Sequence, residues 1–312
     1  MYIEQGYKGN IGIWKFWVLP IGFIALMAFN YISVIYSPVS VDVMMADLID
    51  KLGANLVLIM LLIPLVVGLF VVWAWVKLIH SQSITSLTTA RKKVDWKRIL
   101  FAFSLWAGIT ILITGIDILM SPGDYVFNFQ PGPFFNLLII AVLLIPLQTS
   151  FEEYLFRAHL MQGVGLMAGN RWMPLLLTSL LFGLMHLGNP EVDKLGLGIL
   201  VFYIGTGLFL GIITLMDEGL ELALGFHAAN NLITALMVTA DWTAFQTPSL
   251  FKDVSEPALG LDVLIPVFVV YPILLYIFGK KYGWKNWKER LTGKVLSKAQ
   301  FLEQSSKDAD KR

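Results

Sequence analysis

Six polar residues stand in stretches otherwise fit for lipid. Glu152, Glu153 and Arg157 lie in Leu147-Gln-Thr-Ser-Phe-Glu-Glu-Tyr-Leu-Phe-Arg157, His186 closes Phe182-Gly-Leu-Met-His186, and His227 and Asn231 lie in Gly225-Phe-His-Ala-Ala-Asn-Asn231. An ionisable group inside a membrane costs roughly 2.5–3.5 kcal/mol and by default marks function. Helical spacing sorts the six. Glu153 and Arg157 are i,i+4 neighbours and can pair, whereas Glu152 is turned about 100° away and is left for other work. His227 and Asn231 are also i,i+4, with the small Ala228 between them. Each segment alone has an ordinary reading: an interfacial ion pair, a packing histidine, a His/Asn interhelical contact. Three in succession point to chemistry.

A carboxylate, two imidazoles and a carboxamide in a wet intramembrane cavity suit hydrolysis. Glu152 can act as general base. His186 can hold the same water and shuttle its proton, and His227 and Asn231 can donate to a developing oxyanion, each such donor being worth ~10²–10³ in rate. A second mechanism uses Glu152, His186 and His227 as a zinc set, since two imidazoles and one carboxylate match known catalytic zinc ligation. That set leaves no obvious base, because Glu153 is engaged by Arg157, and it leaves Asn231 without a role. The metal-free route uses all four groups and is preferred, with no cofactor. Other hydrolase designs lack their parts: there is no His-Glu-x-x-His, Gly-x-Gly-Asp or Gly-x-Ser-x-Gly, only lone serines such as Ser150 and Ser179.

These residues need helices across a bilayer to hold them. The 312 residues are 57% hydrophobic and 14% charged, far from the roughly 25% charge of soluble domains, and the mean hydropathy is +0.71. The expected fold is therefore all-α and polytopic, with about eight transmembrane helices around an intramembrane catalytic cavity. Apolar runs of spanning length, about 20 residues, fall at 14–36, 55–76, 99–120, 134–160, 172–187, 196–216, 220–240 and 261–279. The first run is too long, and lacks the basic start, for a cleavable signal. Cysteine is absent, which removes disulfides and thiolate chemistry. A net charge of +1 gives no reason to expect nucleic acid.

Basic residues set the orientation. With both termini inside, all but Lys51, Lys194 and Lys252 of the 23 Lys and Arg residues face the cytoplasm. An odd number of spans would strand one basic cluster outside. The localisation expected is a multi-pass integral membrane protein, in the cell membrane if prokaryotic. At 1.5 Å per residue, Glu152 lies about 12 Å from a helix end near Leu160, His186 about 18–20 Å from Pro174, and His227 and Asn231 about 10 and 16 Å from Leu220. They share one layer of the cytoplasmic half, provided span four continues past Arg157.

Other polar positions read as architecture. Asp117 and Lys15 sit at span ends, and Asp217, Glu218 and Glu221 crowd an inner turn. His159 is placed at the interface, and His80 in the basic loop without a role. Gly205, Gly207 and Gly211 resemble a close helix-packing face. The basic tail, with Trp284 and Trp287, suits an anchor near anionic lipid.

Taken together, Glu152-Glu153-x-x-x-Arg157, Phe182-x-x-x-His186 and His227-x-x-x-Asn231 resemble the CPBP family, the CAAX protease and bacteriocin-processing (Abi) family, which includes the Ras-converting CAAX endoprotease. The resemblance covers about 134–240. It implies an eight-helix membrane core and a glutamate-dependent endopeptidase. It carries the water-activating glutamate onto Glu152, its imidazole partner onto His186, and the oxyanion donors onto His227 and Asn231, with Glu153 and Arg157 in support. Ala158 replaces the usual glycine after the arginine. The expected division is 1–133, three N-terminal spans; 134–240, the catalytic core; 241–279, an outer loop and last span; and 280–312, a basic cytoplasmic tail. The expected partners are the bilayer and a membrane-associated peptide or protein, prenylated and CAAX-like or a bacteriocin leader. Two other readings stand beside this one: a noncatalytic membrane partner or immunity protein, and a proton-coupled transporter, for which no inverted repeat is visible.

Overall fold

The computed structural model describes residues 1–310; Lys311 and Arg312, the last bases of the expected tail, lie outside them. Helices occupy all eight segments read as spans. They are α1 (Ile13–Ile35), α2 (Ala54–Leu78), α3 (Trp96–Met120), α4 (Pro131–Ala168), α5 (Trp172–Leu184), α6 (Pro190–Asp217), α7 (Glu221–Met237) and α8 (Val263–Tyr282). Six are long and apolar enough to cross a membrane; α5, with 13 residues, and α7, with 17, are shorter. The chain is an all-α, multi-pass integral membrane protein. Among the described residues, sheet is confined to β1 (Tyr125–Phe127), β2 (Val238–Thr239) and β3 (Phe251–Asp253), ordered β1-β3-β2.

The connections segregate to two opposite ends of the bundle. At one end Asn55 donates to the Pro133 carbonyl at 2.9 Å, Lys194 meets Asp42 at 2.9 Å, Glu191 accepts from the Ala244 amide at 2.8 Å, and the small sheet ties 125–127 to 251–253. At the other, Glu4 meets Arg171 at 2.6 Å, Arg91 meets Asp217 at 2.8 Å, and Thr89 and Asn170 bridge to Gly219 and Lys294. Amino terminus and basic tail thus share an end, as an even number of crossings requires.

Close helix contacts depend on missing side chains. A Cβ on Gly225 of α7 would collide with the Ile99 carbonyl of α3, and one on Gly207 of α6 would come within 2.8 Å of the Ser179 carbonyl of α5. Gly211 also faces α5, through Leu175, whereas Gly205 faces Val267 of α8. The glycines read as one packing face therefore serve two neighbours. α1 is loosely held: Phe16 and Pro20 are its only buried residues.

Candidate active site

α4 carries its charges because it does not stop at them. It runs unbroken past Arg157 to Ala168, with a π-helical stretch over Tyr154–Leu160. The wider turn shifts the phase of side chains after Glu153, and such segments are frequent at functional sites. Arg157 is fully buried. Its Nη1 donates to Glu153 Oε1 at 3.1 Å, its Nη2 donates to the Gly207 carbonyl at 3.2 Å, and the guanidinium lies 4.1 Å from the Phe182 ring centroid. The ion pair read from i,i+4 spacing is therefore present, and a neighbouring helix and an aromatic face add further contacts to the cation.

Glu153 has a second partner that spacing did not reveal. His227 Nδ1 lies 2.9 Å from Glu153 Oε1, across from α7 to α4. A carboxylate held by Arg157 accepts, so the proton on this contact belongs to Nδ1. His227 Nε2 then points toward Glu152, 3.8 Å from its Oε2. Glu152 is 5% exposed, and its Oε1 accepts from Gln148 Nε2 at 2.6 Å. Gln148 Oε1 in turn accepts from Asn231 Nδ2 at 3.3 Å. Gln148 was missed in the sequence, although a polar residue one helical turn before Glu152 in an apolar run was the available signal.

His186 falls just beyond the end of α5, in the turn at 185–188, because the helix closes at Leu184 rather than near 187. Its Nδ1 lies 2.7 Å from the Phe182 carbonyl, which can only accept, so Nδ1 carries the hydrogen and Nε2 the lone pair. The ring stacks on Tyr203 of α6, centroids 4.3 Å apart. It joins the cluster through the Phe182 ring, which touches Arg157, His186 and His227. The structure thus brings Glu152, Glu153, Arg157 and His227 into direct contact, links Asn231 through Gln148, and sets His186 behind the shared phenylalanine. Among the described residues no three His, Asp or Glu side chains converge as a metal-ligand set. The lone serines are engaged by their own helices: Ser150 and Ser179 donate to the Pro146 and Leu175 carbonyls, each at 2.6 Å.

Two histidines read as peripheral are buried. His159 is fully enclosed rather than interfacial, and His80, 1% exposed, packs against it with ring centroids 5.2 Å apart. Both touch Phe16. The cause is the amino-terminal part of the chain, which lays Phe16 on both rings and donates the Asn10 amide to the His80 carbonyl. Burial holds the His80 ring below its ordinary titration range.

Comparison with known proteins places the same stretch in context. Residues 131–233 match the family model described as type II CAAX prenyl endopeptidase Rce1-like. The uncharacterized protein YyaK of Bacillus subtilis (strain 168) is 29% identical over 252 residues, covering 78% of this chain and 84% of that protein. No solved structure matches. The CPBP resemblance carried by the three motifs is thus matched over 131–233, a stretch that holds all six candidate residues and is similar to the Rce1-like type II CAAX prenyl endopeptidases.

Proposed function

We propose that the chain is an intramembrane endopeptidase that cleaves a membrane-associated substrate with water activated by Glu152, and that 134–240 is its catalytic core. The observation that carries this reading is the unequal treatment of two adjacent buried carboxylates. Glu153 is committed to Arg157 and His227, whereas Glu152 accepts only from a neutral amide and turns its other oxygen toward an imidazole. A carboxylate with no guanidinium bound to it is the one able to take a proton from water.

In the proposed sequence the water oxygen attacks the scissile carbonyl carbon while Glu152 Oε2 takes a water proton. His186 Nε2, free to accept, orients the water. His227, flanked by Glu152 and Glu153, acts as donor in its protonated form, since in the neutral form its hydrogen sits on Nδ1 facing Glu153. Asn231 donates the Nδ2 hydrogen that Gln148 does not use. Collapse of the tetrahedral intermediate breaks the C–N bond, and Glu152 passes its proton to the leaving nitrogen. The route needs no metal. Zinc held by Glu152, His186 and His227 is the rival, and elemental analysis with chelation decides it: stoichiometric zinc whose removal stops cleavage and whose return restores it would overturn the metal-free route.

Both termini are placed in the cytoplasm on the asymmetry of basic residues, so cleavage occurs in the inner half of the bilayer. The substrate is a prenylated CAAX-like peptide or a leader peptide. The purified protein is tested against a library of prenylated and leader peptides beside Glu152→Gln. Cleavage by the wild type and not by the variant is expected. Failure of a folded wild type to cleave any member favours the noncatalytic partner.

A further inference from the structure

A chain of side-chain amides leads from α3 to the carboxylate on α4. Trp106 Nε1 donates to Asn230 Oδ1 at 3.1 Å, and Asn230 Nδ2 donates to Asn231 Oδ1 at 3.1 Å. Asn231 Nδ2 then donates to Gln148 Oε1 at 3.3 Å, and Gln148 Nε2 to Glu152 Oε1 at 2.6 Å. The two ends of a carboxamide are ordinarily hard to tell apart. Here the termini of the chain remove the ambiguity. An indole N–H can only donate, and an ionised carboxylate can only accept. Each amide between them has one orientation that satisfies both neighbours; reversing any one sets two donors or two acceptors face to face. Every bond therefore runs toward Glu152, and such runs polarise one another in a low-dielectric interior.

We propose that Gln148 is a positioning residue for hydrolysis, holding Glu152 Oε1 so that Oε2 is the atom offered to water beside His227, and that Trp106 and Asn230 fix the sense in which Asn231 and Gln148 donate. This rests on Glu152 being the base. Gln148 is 2% exposed, so its amide has no water to replace a lost partner. The same direction points the Asn231 amide nitrogen into the site and keeps its oxygen occupied by Asn230. Asn231 can then present a donor, and not an acceptor, to an oxyanion.

The test uses the full chain in lipid nanodiscs with a farnesylated, fluorescence-quenched CAAX peptide. Gln148→Met keeps the length of the side chain and removes both bonds. It should lower kcat about 10–100-fold, the range for residues that orient a reacting group. KM should stay nearly unchanged, and the acid limb of the pH profile should move to higher pH because the ionised carboxylate loses a donor. Gln148→Glu retains the acceptor for Asn231 but turns an oxygen toward Glu152, and should lose more. Trp106→Phe removes the fixed donor, so the amides can reverse when Glu152 is protonated and favour that form, and it should shift the profile in the same direction by less. Variants that melt like the wild type, or lose activity only in proportion to folded protein, and that keep its pH profile would overturn the proposal. If the wild type cleaves no peptide, the catalytic reading fails and an infrared titration still decides this one. The carboxyl band that Glu152→Gln removes should titrate at higher pH in Gln148→Met; an unmoved band refutes the role of Gln148.

Discussion

Two carboxylate clusters lie about 9 Å apart along α7 at 1.5 Å per residue, one around Glu221 and one around His227, and they use their charges differently. Around Glu221 every carboxylate has a guanidinium. Asp217 takes Arg91 at 2.8 Å, a short contact from Arg98, and the Trp284 indole at 3.2 Å, while Glu221 takes Arg91 at 3.1 Å and the Asp95 amide at 3.2 Å. These groups pin the turn between α6 and α7 to the 79–95 connection, beside an open pocket of about 590 Å³ lined in part by Arg91, Arg98 and Asp217. Around His227 the pairing is incomplete. Arg157 and His227 both settle on Glu153, Glu152 receives no cation closer than His227 at 3.8 Å, and Arg157 Nε and Glu153 Oε2 have no hydrogen-bond partner. A cluster that satisfies all its charges holds a fold together. One that leaves a carboxylate oxygen facing an imidazole nitrogen without a guanidinium on it is built differently, as a site that exchanges a proton must be.

The contrast is sharpest at Glu152. Glu152→Gln keeps volume and a hydrogen-bonding group but cannot take a proton, and should cut cleavage by about 10²–10⁴ with the melting temperature unchanged. Asp217→Asn should do the reverse, leaving turnover at saturating substrate near the wild-type value. Parallel activity and melting measurements on both variants check this; equal losses of activity would erase the distinction between the clusters.

Glu153 tests whether the intramembrane pair is structural. Glu153→Gln strands Arg157, fully buried, without its counter-charge, and breaking such a pair costs about 3–5 kcal/mol. Adding Arg157→Met removes the stranded charge and should restore part of the stability. Asp217→Asn should cost less, about 1.5–3 kcal/mol for charged hydrogen bonds, because Arg91 and Arg98 are 26% and 19% exposed and water can take over. Reversible unfolding in mixed micelles measures all three. Greater damage from Asp217→Asn than from Glu153→Gln would show that the turn between α6 and α7, not the buried pair, carries the stability.

Local spacing explains what could be read in the chain and what could not. The eight helices follow from runs of apolar residues, and the Glu153–Arg157 pair from i,i+4 geometry, because both are set within one segment. His227 reaching Glu153 is set by how α7 lies on α4, which depends on Gly225 allowing α3 to approach, and no period in the sequence encodes it. His80, placed in the basic loop, and His159, placed at the interface, are buried for a related reason: Phe16, which lies on both rings, comes from the far amino-terminal part of the chain. His186 sits in a turn because α5 stops at Leu184, before the Gly188-Asn-Pro190 stretch that a hydropathy count passes over.

The smallest expected effect lies at the opposite end of the bundle, where Asp42 and Lys194 tie the 37–53 connection to the start of α6 at 2.9 Å, with side chains 30% and 33% exposed. Hydrogen bonds from Ser40 and Lys194 hold the Asp42 carboxyl down at about 2, below its ordinary 3.8. A depressed carboxyl stabilises the fold in full while it is ionised in both states, and progressively less once the unfolded chain takes up its proton first. Its contribution is therefore fully present above pH 4 and drains away as pH falls toward about 2. Lys194→Met should lower the melting temperature slightly at pH 6, as exposed pairs do, and the difference from wild type should close over that acid window. The pair has no counterpart in the cleavage chemistry, so turnover by Lys194→Met should match the wild type at every pH where both are folded. A melting difference that persists undiminished at the acid end would mean that Lys194 acts through packing rather than charge, and that even this exposed contact belongs with the clusters whose charges are structural.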